Sequence, residues 1–345
     1  MTLTHLPTRA SIISNQTFGF VSGAEGFIFL AGFMIGQLET RIEQKNKFIG
    51  TIRDLVKRTW RVYVYHAALL AITFTVFASI AVHLHRESLQ NLLSFYFHAP
   101  RRAVIAALLL KYRPSLLDIL PMYVIFLVLT PVARYIAQRW SWDPIVYASF
   151  ALWAMAQFGL RHWLFTHSDL FGLRVPEDST GAFDMYAWQL LWMTALTLGS
   201  LYSKGSAKFP GWLLPLSFAV AGIFLVLRYS PTDHWIDRNV YGWLIDKWHL
   251  GPARVLNFSA ILIVLVRYGA RLAALPIFQP LASLGQASIE VFSVHVLCCY
   301  IGDSLSPNAD PQLSPWQQIL LLCGTISALF VTARIARKRP ALPHR

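Results

Sequence analysis

Charged residues are scarce in this chain. They make up 14% of its 345 residues, against 55% hydrophobic residues, whereas a soluble domain carries roughly 25% charged residues. No long polar stretch remains to form a soluble domain, and no segment repeats an earlier one. The composition excludes an ordinary soluble enzyme and indicates a membrane protein that crosses the bilayer many times.

Cysteine is also rare, and its spacing is wrong for metal binding. Cys298, Cys299 and Cys323 all lie within apolar runs, and no C-x-x-C motif is present. We therefore expect no metal site, and a disulfide is unnecessary. No bound cofactor is expected either. A G-x-S-x-G motif is absent too, so nothing in the sequence predicts a serine acyl-enzyme.

The basic balance of the chain predicts a lipid partner. A formal net charge of +13 arises from 30 Lys and Arg against 17 Asp and Glu. These basic residues cluster between apolar runs, as they do in cytoplasmic loops. Nucleic-acid binding needs an exposed basic face on a polar domain, so we expect the lipid bilayer, and no nucleic acid, as a partner.

Nine apolar runs are long enough to cross a membrane, since a spanning helix needs about 20 mainly apolar residues. They cover residues 18–38, 62–84, 115–137, 144–165, 183–203, 211–229, 253–270, 279–302 and 316–335. The segment 86–113 is amphipathic and too charged to span, so it is predicted to be an interfacial helix pair outside the membrane core. The predicted fold is all-α: one domain, 1–345, with nine complete spans and the end of a truncated first helix.

Lys and Arg residues predict the orientation of the spans. The most basic loop follows the first run and contains Arg41, Lys45, Lys47, Arg53, Lys57, Arg58 and Arg61. With that loop in the cytoplasm, alternation also puts the basic tail 336–345 in the cytoplasm and the N-terminus outside. We therefore expect "MTLTHLPTR" to be the outer end of a truncated helix, with about 15 further apolar residues encoded upstream.

Three ionisable residues lie at similar depth in the outer half of the predicted membrane. Glu25 and His295 are each seven residues from the outer end of a run, about 10 Å at 1.5 Å per residue, and His5 lies near the outer end of the truncated helix. Charged groups at this depth are costly and are functional candidates. Each also has a structural interpretation: an interfacial position for His5, an ion pair for Glu25, and an interhelical hydrogen bond for His295. Gly23 and Gly26 are expected to allow close helix approach beside Glu25.

A second group of candidates lies at the cytoplasmic mouth of the second run. Arg58, Arg61 and Tyr65 fall on one helical face. They fit either anchoring at lipid phosphates or binding of an anionic cytosolic ligand, because guanidinium groups grip phosphates with two hydrogen bonds. Glu290 is predicted to lie near the midplane.

Polar residues at the outer ends of the runs are a third group. Asp118 lies at the outer entrance of its run and fits either a helix cap or a ligand contact. The stretches "FGLRHWLFTHSD" and "SPTDHWIDRNVYGWLIDKWH" mix Trp with His, Arg and Asp. These stretches are typical of an interfacial aromatic belt, and they also suit a sugar acceptor.

In order and spacing, the stretches "MTLTHLP", "FGFVSGAEGFIFLAGFMIG", "KRTWRVYVYH", "DILPMYVIFLVLTP" and "ASIEVFSVHV" resemble the OpgC family. That resemblance implies a bacterial inner-membrane protein, related to ten-helix acyltransferases, that attaches succinyl groups to periplasmic glucans. It matches the superfamily's catalytic histidine to His5, its paired arginines to Arg58 and Arg61, and its late S-x-x-x-x-x-x-H motif to Ser288 through His295. The superfamily's first helix begins with an acidic residue and an Arg-Gly pair, which this chain lacks.

The resemblance further implies direct transfer from cytosolic acyl-CoA, with succinyl-CoA as the expected co-substrate, to a hydroxyl of a periplasmic glucan. Arg58 and Arg61 would hold the donor phosphates, and His5 would act as general base. His295 would donate a hydrogen bond to the thioester oxygen, and Glu25 would orient an imidazole. Arg161 or Arg174 would supply a further cation for a succinyl group.

The same sequence features also fit other classes of membrane protein. A transporter or flippase of an envelope glycan or lipid would also have many spans and buried charges, but it usually shows internal repeats. A structural or sensory membrane protein fits the composition as well. Acyltransferases of the MBOAT type also use a membrane histidine.

Overall fold

The computed structural model describes residues 1–45, 48–167, 172–206, 209–230 and 237–338, and every regular element in those ranges is helical. The first half contains α1 (Thr2–His5), α2 (Ala10–Ser14), α3 (Gly23–Lys45), α4 (Phe48–Ile72), α5 (Ala78–His83), α6 (Glu87–Leu92), α7 (Ser94–His98), α8 (Pro100–Leu108) and α9 (Ile119–Arg139). The second half contains α10 (Asp143–Gln157), α11 (Leu160–His167), α12 (Met185–Ser203), α13 (Leu213–Tyr229), α14 (Arg238–Ile245), α15 (Pro252–Ala273), α16 (Gln279–Gln286), α17 (Ser288–Ser304) and α18 (Pro315–Lys338). A π-helical turn, Thr73–Phe77, joins α4 to α5.

Four helices in the described ranges are long and apolar enough to cross a membrane, and a fifth span results if one bent pair is counted. The four are Gly50–His83, Ile119–Arg139, Pro252–Ala273 and Pro315–Lys338. The most apolar stretches of Pro252–Ala273 and Pro315–Lys338 are only 17% and 22% buried, respectively. Their apolar side chains therefore face outward, as a lipid environment requires. The prediction of a helical membrane protein agrees with this arrangement, whereas nine complete spans are not confirmed.

Helix breaks and a short helix account for three of the predicted runs that do not form complete spans. The run 144–165 divides into α10 and α11, because the chain turns at Gly159, where φ is +85°. The run 279–302 divides into α16 and α17, which meet at 91°. The run 211–229 forms only the 17 residues of α13. Apolar composition predicted helices at these places, but it did not show where each helix stops.

The segment 86–113 is helical but forms three short helices, α6 to α8, rather than the expected pair. Two tyrosines hold it against the long helix Gly50–His83. The Tyr96 hydroxyl donates to the Phe74 carbonyl oxygen at 3.0 Å, and the Tyr63 hydroxyl donates to the Leu108 carbonyl oxygen at 3.0 Å. The segment is thus attached to the bundle by hydrogen bonds as well as by apolar contacts.

The tightest helix contact joins α3 to α12. A Cβ atom added at Gly36 would lie 2.3 Å from the Leu196 carbonyl oxygen, and one at Gly199 would lie 2.2 Å from the Phe33 carbonyl oxygen. Small residues let the two backbones approach this closely. The predicted role of Gly26 was wrong, because nothing lies within 4 Å of a Cβ atom added there. At Gly23, an added Cβ atom would lie 2.8 Å from Met1 Cγ, so the start of α1 does approach closely.

Helices α3 and α12 run in the same direction. Gly32 faces Trp192, and one turn later Gly36 faces Leu196, while the Thr40 hydroxyl donates to the Ser200 hydroxyl at 2.9 Å. The predicted alternation of spans gives the same direction, because the runs 18–38 and 183–203 are both predicted to pass from the outside to the cytoplasm. The core around α12 is filled by Trp188 and Trp192, which are fully buried.

Candidate active site

A pair of histidines lies at one end of the bundle. His5 ends α1, His295 lies on α17, and their ring centroids are 5.9 Å apart. Close packing holds α1 in this place, since a Cβ atom at Gly302 would lie 2.8 Å from Pro7 Cδ. The structure therefore brings together two residues that are 290 positions apart and that the depth argument placed at one level.

Both histidines line a cavity of about 200 Å³. Its other walls include Asp118 before α9, Phe183 before α12 and Lys247 before α15. Five separate segments of the chain thus meet around one cavity. Imidazole, amine, carboxyl and aromatic groups line the cavity. Within the described ranges, no group of three or more His, Cys, Asp and Glu lies close enough together to hold a metal ion.

Burial dominates the electrostatics of the cavity. Burial, followed by the charge of Lys247, lowers the pKa of His5 from 6.5 to about 4. Burial also lowers the pKa of Lys247, which Glu25 and Asp118 partly restore. Burial raises the pKa of Asp118 to about 6. His5 is therefore a neutral imidazole near pH 7, and a neutral imidazole can accept a proton.

Glu25 does not contact either imidazole. It is fully buried in the first turn of α3, where its Oε1 atom accepts hydrogen bonds from Arg254 Nε at 2.9 Å and from Arg254 Nη2. Its Oε2 atom accepts from the Ser22 backbone N–H at 3.0 Å and from the Ser22 hydroxyl. The structural interpretation of Glu25 as an ion pair therefore holds, and the expected orientation of an imidazole by Glu25 is corrected, because Arg254 and Ser22 occupy both carboxylate oxygens.

The predicted arginines Arg58 and Arg61 do not line the histidine cavity. Arg58 Nε donates to Asp54 Oδ2 at 2.8 Å and lies 3.8 Å from Glu39 Oε1. Arg61 is exposed on the same helix. Arg58 is therefore held by acidic neighbours, and Arg61 is the more accessible cation at this mouth of the bundle.

Tyr65 and Glu290 form a link between the two ends. The Tyr65 hydroxyl donates to Glu290 Oε1 at 3.1 Å, joining α4 to α17. Glu290 precedes His295 by five residues on the same helix, about 7.5 Å along its axis. Ser288 is exposed at the start of α17 and does not line the histidine cavity.

Asp118 is the one predicted substrate-binding residue that lines the histidine cavity. Its side chain does not cap α9. Instead, Asp118 Oδ2 accepts a hydrogen bond from the Ala182 backbone N–H at 3.3 Å. This contact ties the entrance of α9 to the loop before α12, so Asp118 shapes the cavity wall.

Sequence reasoning did not single out Lys247, Trp248 or Phe183, although all three line the cavity. The Trp248 carbonyl oxygen accepts from the Asp184 backbone N–H at 3.0 Å and from Trp188 Nε1 at 3.0 Å. These bonds fix the loop that presents Lys247. The mixture of Trp, Lys and His in "IDKWH" was visible in the sequence, but it did not show which cavity the loop would reach.

The fold is that of a helical membrane protein with a histidine pair at one end of the bundle. A protein-family model for the OpgC protein matches residues 1–340. The chain belongs to the OpgC family. No curated protein and no solved structure matched the chain.

Proposed function

We propose that this chain is a bacterial inner-membrane acyltransferase with a cytoplasmic C-terminus. It moves an acyl group, expected to be succinyl, from cytosolic acyl-CoA to hydroxyls of a periplasmic glucan or another envelope polysaccharide. The observation that carries this proposal is the His5–His295 pair, which lines one cavity with Lys247 and Asp118. Membership of the OpgC family supports the same activity.

The proposed reaction begins at a sugar hydroxyl in the cavity. His5 takes the hydroxyl proton while the oxygen attacks the thioester carbonyl carbon. The new C–O bond forms, the C–S bond then breaks, and protonated His5 returns the proton to the leaving thiolate. No covalent acyl-enzyme is needed, and both imidazole and thiol end neutral.

His295 would stabilise the negative charge that develops on the carbonyl oxygen. Its Nδ1 atom lies 3.4 Å from Cys299 Sγ, one helical turn away. A Cys299 thiol that donates to Nδ1 leaves the ring hydrogen on Nε2. In that tautomer, His295 can donate from Nε2 to the thioester oxygen.

The proposed donor enters from the mouth where Arg61 and Arg58 lie. Tyr65 lies seven residues beyond Arg58 on α4 and contacts Glu290, which is five residues before His295. At 1.5 Å per residue, the two steps add up to about 18 Å along the helix axes. An extended thioester arm between α4 and α17 would have to cover that distance.

Transfer of label is the direct test of the proposed function. Membranes containing the chain, incubated with succinyl-CoA labelled in the acyl group and with neutral glucan, are expected to give labelled glucan. Membranes without the chain provide the control. If the chain moves glucan across vesicle membranes without labelling it, the transporter or flippase interpretation replaces the enzyme.

The pKa of His5 predicts an unusual pH profile. The base form of His5 is present above its pKa of about 4, so kcat/KM should stay level from pH 8 to pH 5 and fall below that. Lys247→Met removes a positive charge that lowers the pKa of His5 and should move the acidic limb to higher pH. If kcat/KM of the unsubstituted protein instead falls near the ordinary pKa of histidine, a buried His5 is not the base.

A further inference from the structure

A second cavity, of about 260 Å³, adjoins the histidine cavity. Phe183 lines both cavities, so one aromatic side chain forms a shared wall. Arg113 and Arg161 line the second cavity, together with apolar side chains such as Ile125 and Phe165. The cavity thus combines apolar walls with two guanidinium groups.

Neutral acceptors hold both arginines in place. Arg113 is 8% exposed, and its Nε atom donates to the Leu110 carbonyl oxygen at 3.1 Å. Among the described residues, its Nη2 atom donates only to the Met185 sulfur, at 3.6 Å. Arg161 Nη2 donates to the Gly181 carbonyl oxygen at 2.7 Å and to the Thr180 hydroxyl at 2.8 Å. Among the residues that the structure describes, no carboxylate lies within ion-pair distance of either arginine.

Burial of a charge without a carboxylate partner is costly. Burial, followed by the charge of Arg161, lowers the pKa of Arg113 to about 10. Asp118 and Asp184, whose charges partly restore the pKa of Arg113, form no ion pair with it. Asp118 Oδ2 accepts from the Ala182 N–H, and Asp184 Oδ1 accepts from the Tyr186 N–H at the start of α12. The cavity therefore favours an anion that brings its own negative charge.

We propose that the Arg113–Arg161 cavity is a carboxylate subsite of the substrate. A planar carboxylate matches the guanidinium fork, and the apolar walls suit a short hydrocarbon chain attached to it. This inference rests on the proposed acyl transfer. The carboxylate belongs either to the free end of the acyl group or to an acidic sugar of the acceptor, and the subsite decides which substrate is preferred.

Donor preference tests the subsite. Succinyl-CoA and butyryl-CoA differ in whether the acyl chain ends in a carboxylate or a methyl group, and each is offered with neutral glucan. We expect Arg161→Gln to lower the succinyl-to-butyryl ratio of kcat/KM at least about tenfold, the lower range for a lost charged hydrogen bond, while butyryl transfer persists. Arg161→Lys and Arg113→Lys keep the charge but lose the fork, so intermediate ratios are expected, and they carry the test if Arg161→Gln does not fold. Arg102→Gln, at an exposed position of α8, is the matched control.

The outcomes separate the source of the carboxylate. If the donor ratio is unchanged in the variants but transfer to a uronic-acid oligosaccharide falls relative to neutral glucan, the subsite serves the acceptor. If neither ratio changes in well-folded variants, the proposal is overturned.

A binding measurement tests the carboxylate subsite independently of the proposed acyl transfer. Succinate, but not dimethyl succinate, should raise the thermal unfolding midpoint of the unsubstituted protein, and Arg161→Gln should abolish that increase. If no donor is used by any form but this stabilisation is seen, the acyltransferase proposal fails and the subsite stands. If succinate has no effect and no donor is used, both fail.

Discussion

His5→Ala is expected to abolish glucan acylation while the abundance of the protein in the membrane stays the same. General base help contributes roughly 10²–10⁴-fold, and His5 is the neutral imidazole in the cavity that can supply it. His295→Ala is expected to cost about 10²–10³-fold, as loss of one oxyanion donor does. The measurement is the amount of acyl group per glucan, by mass spectrometry, divided by the amount of protein.

His83→Ala provides a matched control for these variants, since His83 is exposed at the end of α5. It removes the same side chain without touching the cavity, and normal acylation is expected. The double variant His5→Ala/His295→Ala should be little worse than His5→Ala alone, because groups that act on one transition state are not additive. Normal acylation by folded His5→Ala would refute the role of His5 as general base. Another group would then have to activate the sugar hydroxyl.

Substitution of one member of the Glu25–Arg254 pair is expected to destabilise the protein by about 3–5 kcal/mol, because the partner is left as an unpaired buried charge. Glu25 and Arg254 are 0% and 1% exposed, so water cannot replace the lost contact. Glu25→Ala and Arg254→Met should each reduce the yield of monodisperse protein in detergent and lower its unfolding midpoint. The double variant Glu25→Gln/Arg254→Met should recover much of both, since it removes both charges together.

The double variant also separates a structural role of Glu25 from a catalytic one. If Glu25 only holds α3 against the start of α15, the folded double variant keeps most of its acyl transfer. A loss of hundredfold or more in a well-folded double variant would show that Glu25 acts in the reaction after all. Glu177→Gln, in the exposed contact with His162, is the stability control, and a change below about 0.5 kcal/mol is expected.

Depth within the predicted membrane was a good guide to the histidines and a poor guide to Glu25. His5 and His295 were placed at one level by counting residues from the ends of apolar runs, and their rings lie 5.9 Å apart. Glu25 was placed at the same level, but it faces Arg254. Counting along a helix gives depth, whereas the direction in which a side chain points depends on the neighbouring helices.

The side-chain directions of loop residues were also not predictable from the sequence. Lys247, Phe183 and Arg113 lie between helices, where no periodic pattern indicates the direction of a side chain. Hydrogen bonds between loops, such as that from the Asp184 N–H to the Trp248 carbonyl oxygen, decide which of these residues reach a cavity. Those bonds join positions that are far apart in the chain, so local patterns cannot predict them.

By itself, the sequence determined a helical membrane protein of the OpgC family, with its basic residues between apolar runs and two histidines at one depth. Composition and order suffice for this, because transfer of apolar residues into lipid depends on hydropathy rather than on contacts between particular residues. Only the tertiary structure decided where the helices break and which residue pairs with Glu25, namely Arg254. It also decided that Phe183 lies between the histidine cavity and the cavity with two arginines. Those outcomes depend on contacts between distant segments, since each buried charge must find a partner or a ligand in three dimensions.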